Sequence, residues 1–156
     1  MDPEKNKIEN VGNWSYNVPK SYKKFNGTHI SQIRNVSLSF YANGMYPNVK
    51  ENQTVLMGPR TPTSMKVFVV IKNRDLIYSN YYRVNLLFEI KTPDVLSSQV
   101  AVRISSKMAW KKNQRPSIIG GLIENQYRSK VSNILMFYSR WAPEKLEEHD
   151  KMDHWE

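Results

Sequence analysis

The residues best suited to chemistry in this sequence form a basic tract with a tryptophan inside it. Residues 103–115 contain five basic residues and no acidic one. The candidate binding residues of this tract are Arg103, Lys107, Trp110, Lys111, Lys112 and Arg115. Clustered cations bind phosphates or anionic lipid headgroups, and an indole among them suits base stacking or insertion at a lipid interface. The alternative is a solvated loop whose Trp110 fills the edge of the core, because runs of charge are commonly just solvated.

The charge of the whole chain also favours an anionic partner. The 156 residues include 23 basic and 14 acidic ones, which gives a net charge of +9. Residues 101–140 carry eight basic residues against one acidic residue. A surplus of this kind favours binding to nucleic acid, to a phospholipid surface or to an acidic protein.

Candidate catalytic residues are few and scattered. The chain has no cysteine, which excludes disulfides, thiolate metal sites and cysteine nucleophiles. Of the three histidines, His149 and His154 lie in an acidic tail, at a spacing that fits no usual helical metal site. The carboxylates of the central region are isolated from one another in sequence: Asp75, Glu89, Asp94 and Glu124. We therefore expect a non-enzymatic binding or assembly protein without a metal or other cofactor.

Alternating apolar residues predict an antiparallel sheet. Residues 65–72 form a β-branched run, and residues 82–90 alternate strictly, which predicts one buried and one wet face. The buried face would carry Tyr82, Val84, Leu86, Phe88 and Ile90. We expect further strands at 36–41 and at 134–141, the latter apolar throughout. The Asn-, Gly- and Pro-rich residues 46–64 predict a loop with a short edge strand at 54–57.

The period of residues 95–108 is ambiguous. Thr92, Pro93 and Asp94 form a typical helix start. A helical stripe then follows at Leu96, Val100, Ile104 and Met108. A strand is the rival interpretation, because Val100, Val102 and Ile104 also alternate. We predict the helix, and in either case we expect these apolar residues to pack on the preceding strands.

The length of the chain corresponds to a single domain with flanking segments. Residues 1–24 are polar without a period, and we expect a mobile arm. Trp14, Tyr16 and Tyr22 would either anchor this arm on its own core or dock it on a neighbouring subunit, and we predict self-association through them. Residues 25–143 would form the globular domain, and residues 144–156 an acidic tail. No run approaches the ~20 apolar residues of a membrane span. The predicted fold is α+β, with a twisted antiparallel sheet covered by one or two helices and a mobile N-terminal arm.

Three pieces of the chain, taken in order, form a pattern known from one protein family. They are the half-buried strand 83–90, the Pro/Asp-started helix 93–110 with Trp110 near its end, and the segment Gly121, Leu122 and Ile123. This order resembles the C-terminal half of rhabdovirus matrix proteins, especially the plant-infecting ones, over about residues 80–125. The small size, basic charge, polar arm and lack of cysteine also fit that family.

The resemblance implies a virion structural protein. Such a protein self-associates, condenses the viral nucleoprotein and RNA, and contacts the anionic inner face of the envelope. In the host cell it would be cytoplasmic and peripheral to membranes. Two alternatives stay open: a basic nucleic-acid-binding viral movement or suppressor protein, and a small all-β capsid subunit, which a strand at 95–108 would favour.

Overall fold

The main element of the fold is a six-stranded antiparallel sheet. The structure, a computed structural model, describes residues 7–40, 49–74 and 78–141. The strand order from one edge to the other is β1 (Lys7–Val11), β4 (Gln32–Phe40), β5 (Val49–Thr61), β6 (Ser64–Arg74), β7 (Tyr82–Lys91) and β8 (Ala101–Trp110). A hairpin of β2 (Lys24–Phe25) and β3 (Thr28–His29) and the helix α1 (Ser117–Trp141) complete the described elements. An antiparallel sheet with one helix is an α+β arrangement, as predicted.

Three of the predicted strands are confirmed, and one strand replaces a predicted loop. The strands predicted at 36–41, 65–72 and 82–90 fall within β4, β6 and β7, apart from Tyr41, which lies outside the described residues. Residues 49–61, however, form the interior strand β5 instead of a loop with a short edge strand. This segment forms a strand despite its polar composition, because β4 and β6 pair with it on both sides.

Both faces of the sheet carry an apolar cluster in its centre. Phe68 and Val70 of β6 belong to a first cluster, which Val18, Phe25 and Ile30 cover from the N-terminal segment. The intervening Val69 and Ile71 belong to a second cluster on the opposite face. That cluster contains Tyr82, Val84 and Leu86, with Ile123 and Tyr127 of α1 packed against it. The predicted wet face of β7 is therefore wrong at Asn85, which is 4% exposed.

The helix predicted at 95–108 is wrong, because residues 101–110 form the edge strand β8. The helix-start residues make only a local turn, in which the Asp94 side chain accepts a hydrogen bond from the Leu96 amide at 2.8 Å. Strand β7 offers a full ladder to the β-branched residues that follow, from Lys91↔Ala101 to Tyr82↔Trp110. The expected packing also fails at Leu96, which is 96% exposed, whereas Met108 joins the second cluster.

The closing strand predicted at 134–141 is also wrong, since these residues end the 25-residue helix α1. An apolar run alone does not distinguish a strand from a helix. The helix begins after Pro116, whose carbonyl accepts a hydrogen bond from the Gly120 amide at 3.0 Å. It continues through the paired glycines and through residues 124–130.

Residues 7–24 lie against the sheet. Strand β1 pairs antiparallel with β4, and the Ser15 amide donates to the Ile33 carbonyl at 2.8 Å. Val18 is 8% exposed within the first cluster. The arm predicted at residues 1–24 therefore contains a strand at Lys7–Val11, whereas residues 12–23 form no helix or strand, as their lack of a period predicts. The acidic tail predicted at 144–156 lies outside the described residues.

Candidate anion-binding site

Three adjacent strand ends bring cations together around one cavity. Lys72 lies near the end of β6, Arg83 near the start of β7, and Lys111 directly after β8. They line a cavity of about 560 Å³ together with Asn73, Ser79, Asn80, Tyr81, Tyr82, Ala109 and Trp110. Among the described residues that line it, none is a carboxylate or a histidine. We refer to this cavity as the basic cavity.

Two of these cations follow the last pair of the β6–β7 ladder. That ladder ends at Ile71↔Val84, and Lys72 and Arg83 are the next residues on the two strands. Directly opposed side chains on one face of an antiparallel pair have Cβ atoms about 5 Å apart, and like charges there are destabilising. Within the described ranges, no carboxylate forms an ion pair with Lys72, Arg83 or Lys111. A bound anion would relieve this repulsion.

A short 3₁₀ turn at Ser79–Tyr81 closes one side of the basic cavity. Tyr78 before it adopts a left-handed conformation at φ 63°. The Tyr81 amide donates to the Tyr78 carbonyl at 3.0 Å, and the Tyr81 carbonyl accepts from the Lys111 amide at 2.7 Å. The turn is thus fastened to the residue that follows β8, and the Tyr81 side chain remains 39% exposed.

The predicted basic tract does not form one surface. Arg103 lies on β8 across from Glu89, with its Nε 3.8 Å from Glu89 Oε2. Lys111 lies eight positions further along the chain, which corresponds to about 27 Å along an extended strand. Lys107 lies half-buried across from the buried Asn85. Lys111, Lys112 and Arg115 are exposed together in the connection after β8.

Trp110 is half-buried, so the expectation of an exposed indole is wrong. Its ring packs against Tyr82 at 5.0 Å between centroids, and its Nε1–H donates to Glu124 Oε1 at 3.0 Å. It thus fills the edge of the core, as the alternative interpretation of the tract proposed. Ile104, Met108 and Trp110 lie on one face of β8, and this alternation was the feature of the sequence that could have indicated a packed Trp110.

Arg115 is held by Glu124 and is not a free cation. Its Nε donates to Glu124 Oε1 at 2.7 Å, and its second terminal nitrogen donates to Oε2 at 3.2 Å. Hydrogen bonds from Arg115 and Trp110 lower the pKa of the Glu124 carboxyl, against the opposing effect of partial burial. The hydrogen bond between Arg115 and Glu124 also raises the pKa of Arg115. Glu124 therefore joins the end of β8, the following loop and α1.

A buried polar cluster fixes α1 beneath the basic cavity. The Asn73 side-chain amide donates to the hydroxyl of Tyr82 at 2.8 Å and also to the hydroxyl of Tyr127. Glu51, which lies across from Asn73, is fully buried and accepts from Gln53 at 2.6 Å. Burial raises the pKa of the Tyr127 phenol well above its ordinary range, and the Glu51 charge adds to this shift. Sequence reasoning missed this cluster because its members are far apart in the chain.

The three aromatic residues predicted for self-association have different environments. The Trp14 ring is half-buried, with the Arg34 guanidinium 5.2 Å from its centroid. Tyr22 packs against the first cluster, 6.3 Å from the ring of Phe25. Tyr16 is 80% exposed. Of the three, only Tyr16 presents most of its surface for a neighbouring subunit, and the predicted self-association remains a prediction.

In the described part of the chain, no three histidine, cysteine or carboxylate side chains group together as a metal site requires. Within residues 7–40, 49–74 and 78–141, no helix has the length and apolar character needed to cross a bilayer. Compared with protein-family models and with curated proteins, the chain matches none.

Proposed function

We propose that the protein is a non-enzymatic structural protein that binds an anionic partner at the basic cavity. Its role would be that of a viral matrix protein, which self-associates, condenses the nucleocapsid and contacts the inner face of the envelope. The observation that carries the proposal is the convergence of Lys72, Arg83 and Lys111 on a cavity whose described lining residues include no carboxylate. Such a site gains free energy from an anion that replaces the missing counter-charges.

The lining residues of the basic cavity favour binding over catalysis. They supply cations, hydroxyls and amides, which hold an anion through charge and hydrogen bonds. A general base or an activated nucleophile would require a histidine, a carboxylate or a paired hydroxyl nearby. The buried Tyr82 hydroxyl already accepts from Asn73, so it is engaged in holding the fold.

Of the three pieces of the family resemblance, residues 83–90 form a strand as expected. Residues 93–110 form a loop and a strand instead of a helix, and this departure weighs against the resemblance. The net charge of +9 remains as support. The virion and the inner, peripheral face of a membrane are the locations that follow from this proposal.

Contact with the envelope is supported by apolar residues at the start of α1. Ile118 is 78% exposed and Leu122 is 60% exposed, one helical turn apart. The exposed Lys111 and Lys112 precede them in the turn after β8. A pair of apolar side chains beside lysines suits an anionic membrane surface, where each lysine contributes about 1 kcal/mol.

One observation favours the second candidate function, a capsid subunit. Residues 101–110 form a strand, which is the outcome that favours a sheet-built capsid protein. The 25-residue helix α1 argues against an all-β subunit. A capsid subunit would form closed shells on its own or with RNA, so electron microscopy of concentrated protein distinguishes the two roles.

The proposal is tested by charge reversal at the basic cavity. We expect Lys72→Glu/Arg83→Glu to lose binding to single-stranded RNA at matched salt, whereas binding to vesicles with anionic lipid should persist, because Lys111, Lys112 and the start of α1 are unchanged. Lys20→Glu/Lys23→Glu is the matched control, because it changes the charge equally at exposed residues outside the cavity. If the cavity variant and the control bind both partners like the unaltered protein, the proposed anion-binding function is wrong.

A further inference from the structure

The basic cavity combines its cations with one accessible aromatic ring. Tyr81 lines the cavity beside Lys72, Arg83 and Lys111, and it is the most exposed of the three aromatic residues there. Trp110 and Tyr82 are packed against each other, and Tyr82 is 6% exposed. The volume of about 560 Å³ lies within the range of sites that bind small organic ligands. The cavity therefore offers both a charged wall and a stacking surface.

The backbone of Tyr81 is fixed before any ligand arrives. It is hydrogen-bonded on one side to the Tyr78 carbonyl and on the other to the Lys111 amide. The Tyr78 ring lies 6.1 Å from the Tyr81 ring, tilted by 46°. A fixed backbone reduces the conformational entropy that is lost when a second flat group stacks on the ring.

We propose that the basic cavity binds single-stranded nucleic acid, with an unpaired base stacked on Tyr81 and the flanking phosphates held by Lys72, Arg83 and Lys111. The inference rests on the proposed function and names the partner of the same site. Cations that follow the backbone, combined with an aromatic platform, are the general features of single-strand binding sites. A duplex is a poorer ligand because its bases are already stacked and paired.

The remaining lining residues suit a nucleotide better than a lipid headgroup. Ser79 and Asn80 place a hydroxyl and an amide at the rim of the cavity, where they can hydrogen-bond to a ribose or to a base edge. A phospholipid would use the cations but would leave the exposed ring of Tyr81 without a flat partner. Sequence-tolerant binding is expected, because every base has a face that can stack.

The first experiment separates stacking from charge. We measure the affinity for a labelled oligouridylate and for inorganic polyphosphate, which has phosphates but no bases. Stacking contributes about 1–3 kcal/mol per base, so Tyr81→Leu should weaken RNA binding about 5- to 150-fold. Its affinity for polyphosphate should be unchanged. Tyr81→Phe keeps the ring and should keep the wild-type RNA affinity.

Two results would overturn the inference while leaving the proposed function standing. One is a Tyr81→Leu protein that binds oligouridylate as tightly as the unaltered protein. The other is an equal loss of affinity for RNA, polyphosphate and anionic vesicles in Tyr81→Leu. The proposed function itself fails in a different way, when Lys72→Glu/Arg83→Glu has no effect on any of the three ligands.

A second measurement uses the unaltered protein and does not depend on the folding of a variant. RNA that contains 5-bromouridine is irradiated in the complex, and the attached peptides are mapped by mass spectrometry. We expect attachment at Tyr81. Attachment confined to other parts of the chain would contradict the stacking geometry.

Discussion

Trp110 donates its indole N–H to Glu124 Oε1 at 3.0 Å, and this hydrogen bond ties the end of the edge strand β8 to helix α1. The same carboxylate receives Arg115 from the connecting loop. The turn that carries Lys111 and Lys112 is therefore bounded by two fixed points, Trp110 and Arg115. This arrangement positions Lys111, one cation of the basic cavity, through its neighbours and not through its own side chain.

The first prediction concerns the pH dependence of this junction. The pKa of Glu124 is lowered in the folded protein. Its contribution to stability is therefore complete above the ordinary glutamate pKa of about 4.3 and is lost as the pH falls through the lower folded pKa. Glu124→Gln should lower the melting temperature at neutral pH, and the difference from wild type should shrink at acid pH. A difference that is constant across the acid range would contradict the assignment.

The second prediction compares two adjacent helical glycines. A Cβ at Gly120 would lie 2.9 Å from Arg115 Cγ, whereas at Gly121 the nearest atom of Arg115 is 3.9 Å away. Replacing glycine by alanine inside a helix stabilises by about 1 kcal/mol where there is space. Gly121→Ala should show this gain in urea unfolding, and Gly120→Ala should not, because Arg115 must move. Equal gains at both positions would show that the contact is unimportant.

The third prediction tests the register of β7. Leu86 is 4% exposed in the second cluster, so Leu86→Ala should cost about 2–5 kcal/mol of unfolding free energy. Glu89 lies between Lys66 at 3.9 Å and Arg103 at 3.8 Å near the surface. Its exposed ion pairs contribute about 0–1 kcal/mol, so Glu89→Ala should cost little. Equal costs of the two variants would refute this register.

Local periodicity predicts the core residues of β7 but does not decide the conformation of β8. Strict alternation in β7 predicted Tyr82, Val84 and Leu86 as core residues, and all three are buried. The apolar residues of β8 fit both the period of a helix and the period of a strand. The strand forms because β8 pairs with the otherwise free edge of β7. Such long-range pairing is not encoded in the local period.

The candidate site was only partly visible in the sequence for a related reason. The tract identified Lys111, but Lys72 and Arg83 join it only through the register of three strands. Trp110 and Arg115 were assigned to a partner, whereas Glu124 engages both. Charge density along a chain indicates the sign of a partner more reliably than the residues that touch it.

The fourth prediction separates packing from self-association in the N-terminal segment. Val18 is 8% exposed, so Val18→Ala should destabilise by about 1.5–3 kcal/mol. Tyr16 is 80% exposed, so Tyr16→Ser should leave the melting temperature unchanged. If the segment docks on a neighbouring subunit, Tyr16→Ser reduces the oligomer size measured by light scattering. An unchanged size would exclude Tyr16 from the contact.

The central claim is that the cations of the basic cavity bind a phosphate backbone, and the salt dependence of RNA affinity tests it most directly. Each phosphate contact to a single strand contributes about −0.7 to the slope of log affinity against log salt concentration. Neutralising two cations in Arg83→Gln/Lys111→Gln should make the slope shallower by about 1.4. The control Lys20→Gln/Lys23→Gln should retain the wild-type slope. A cavity variant with the wild-type slope and affinity would contradict the account.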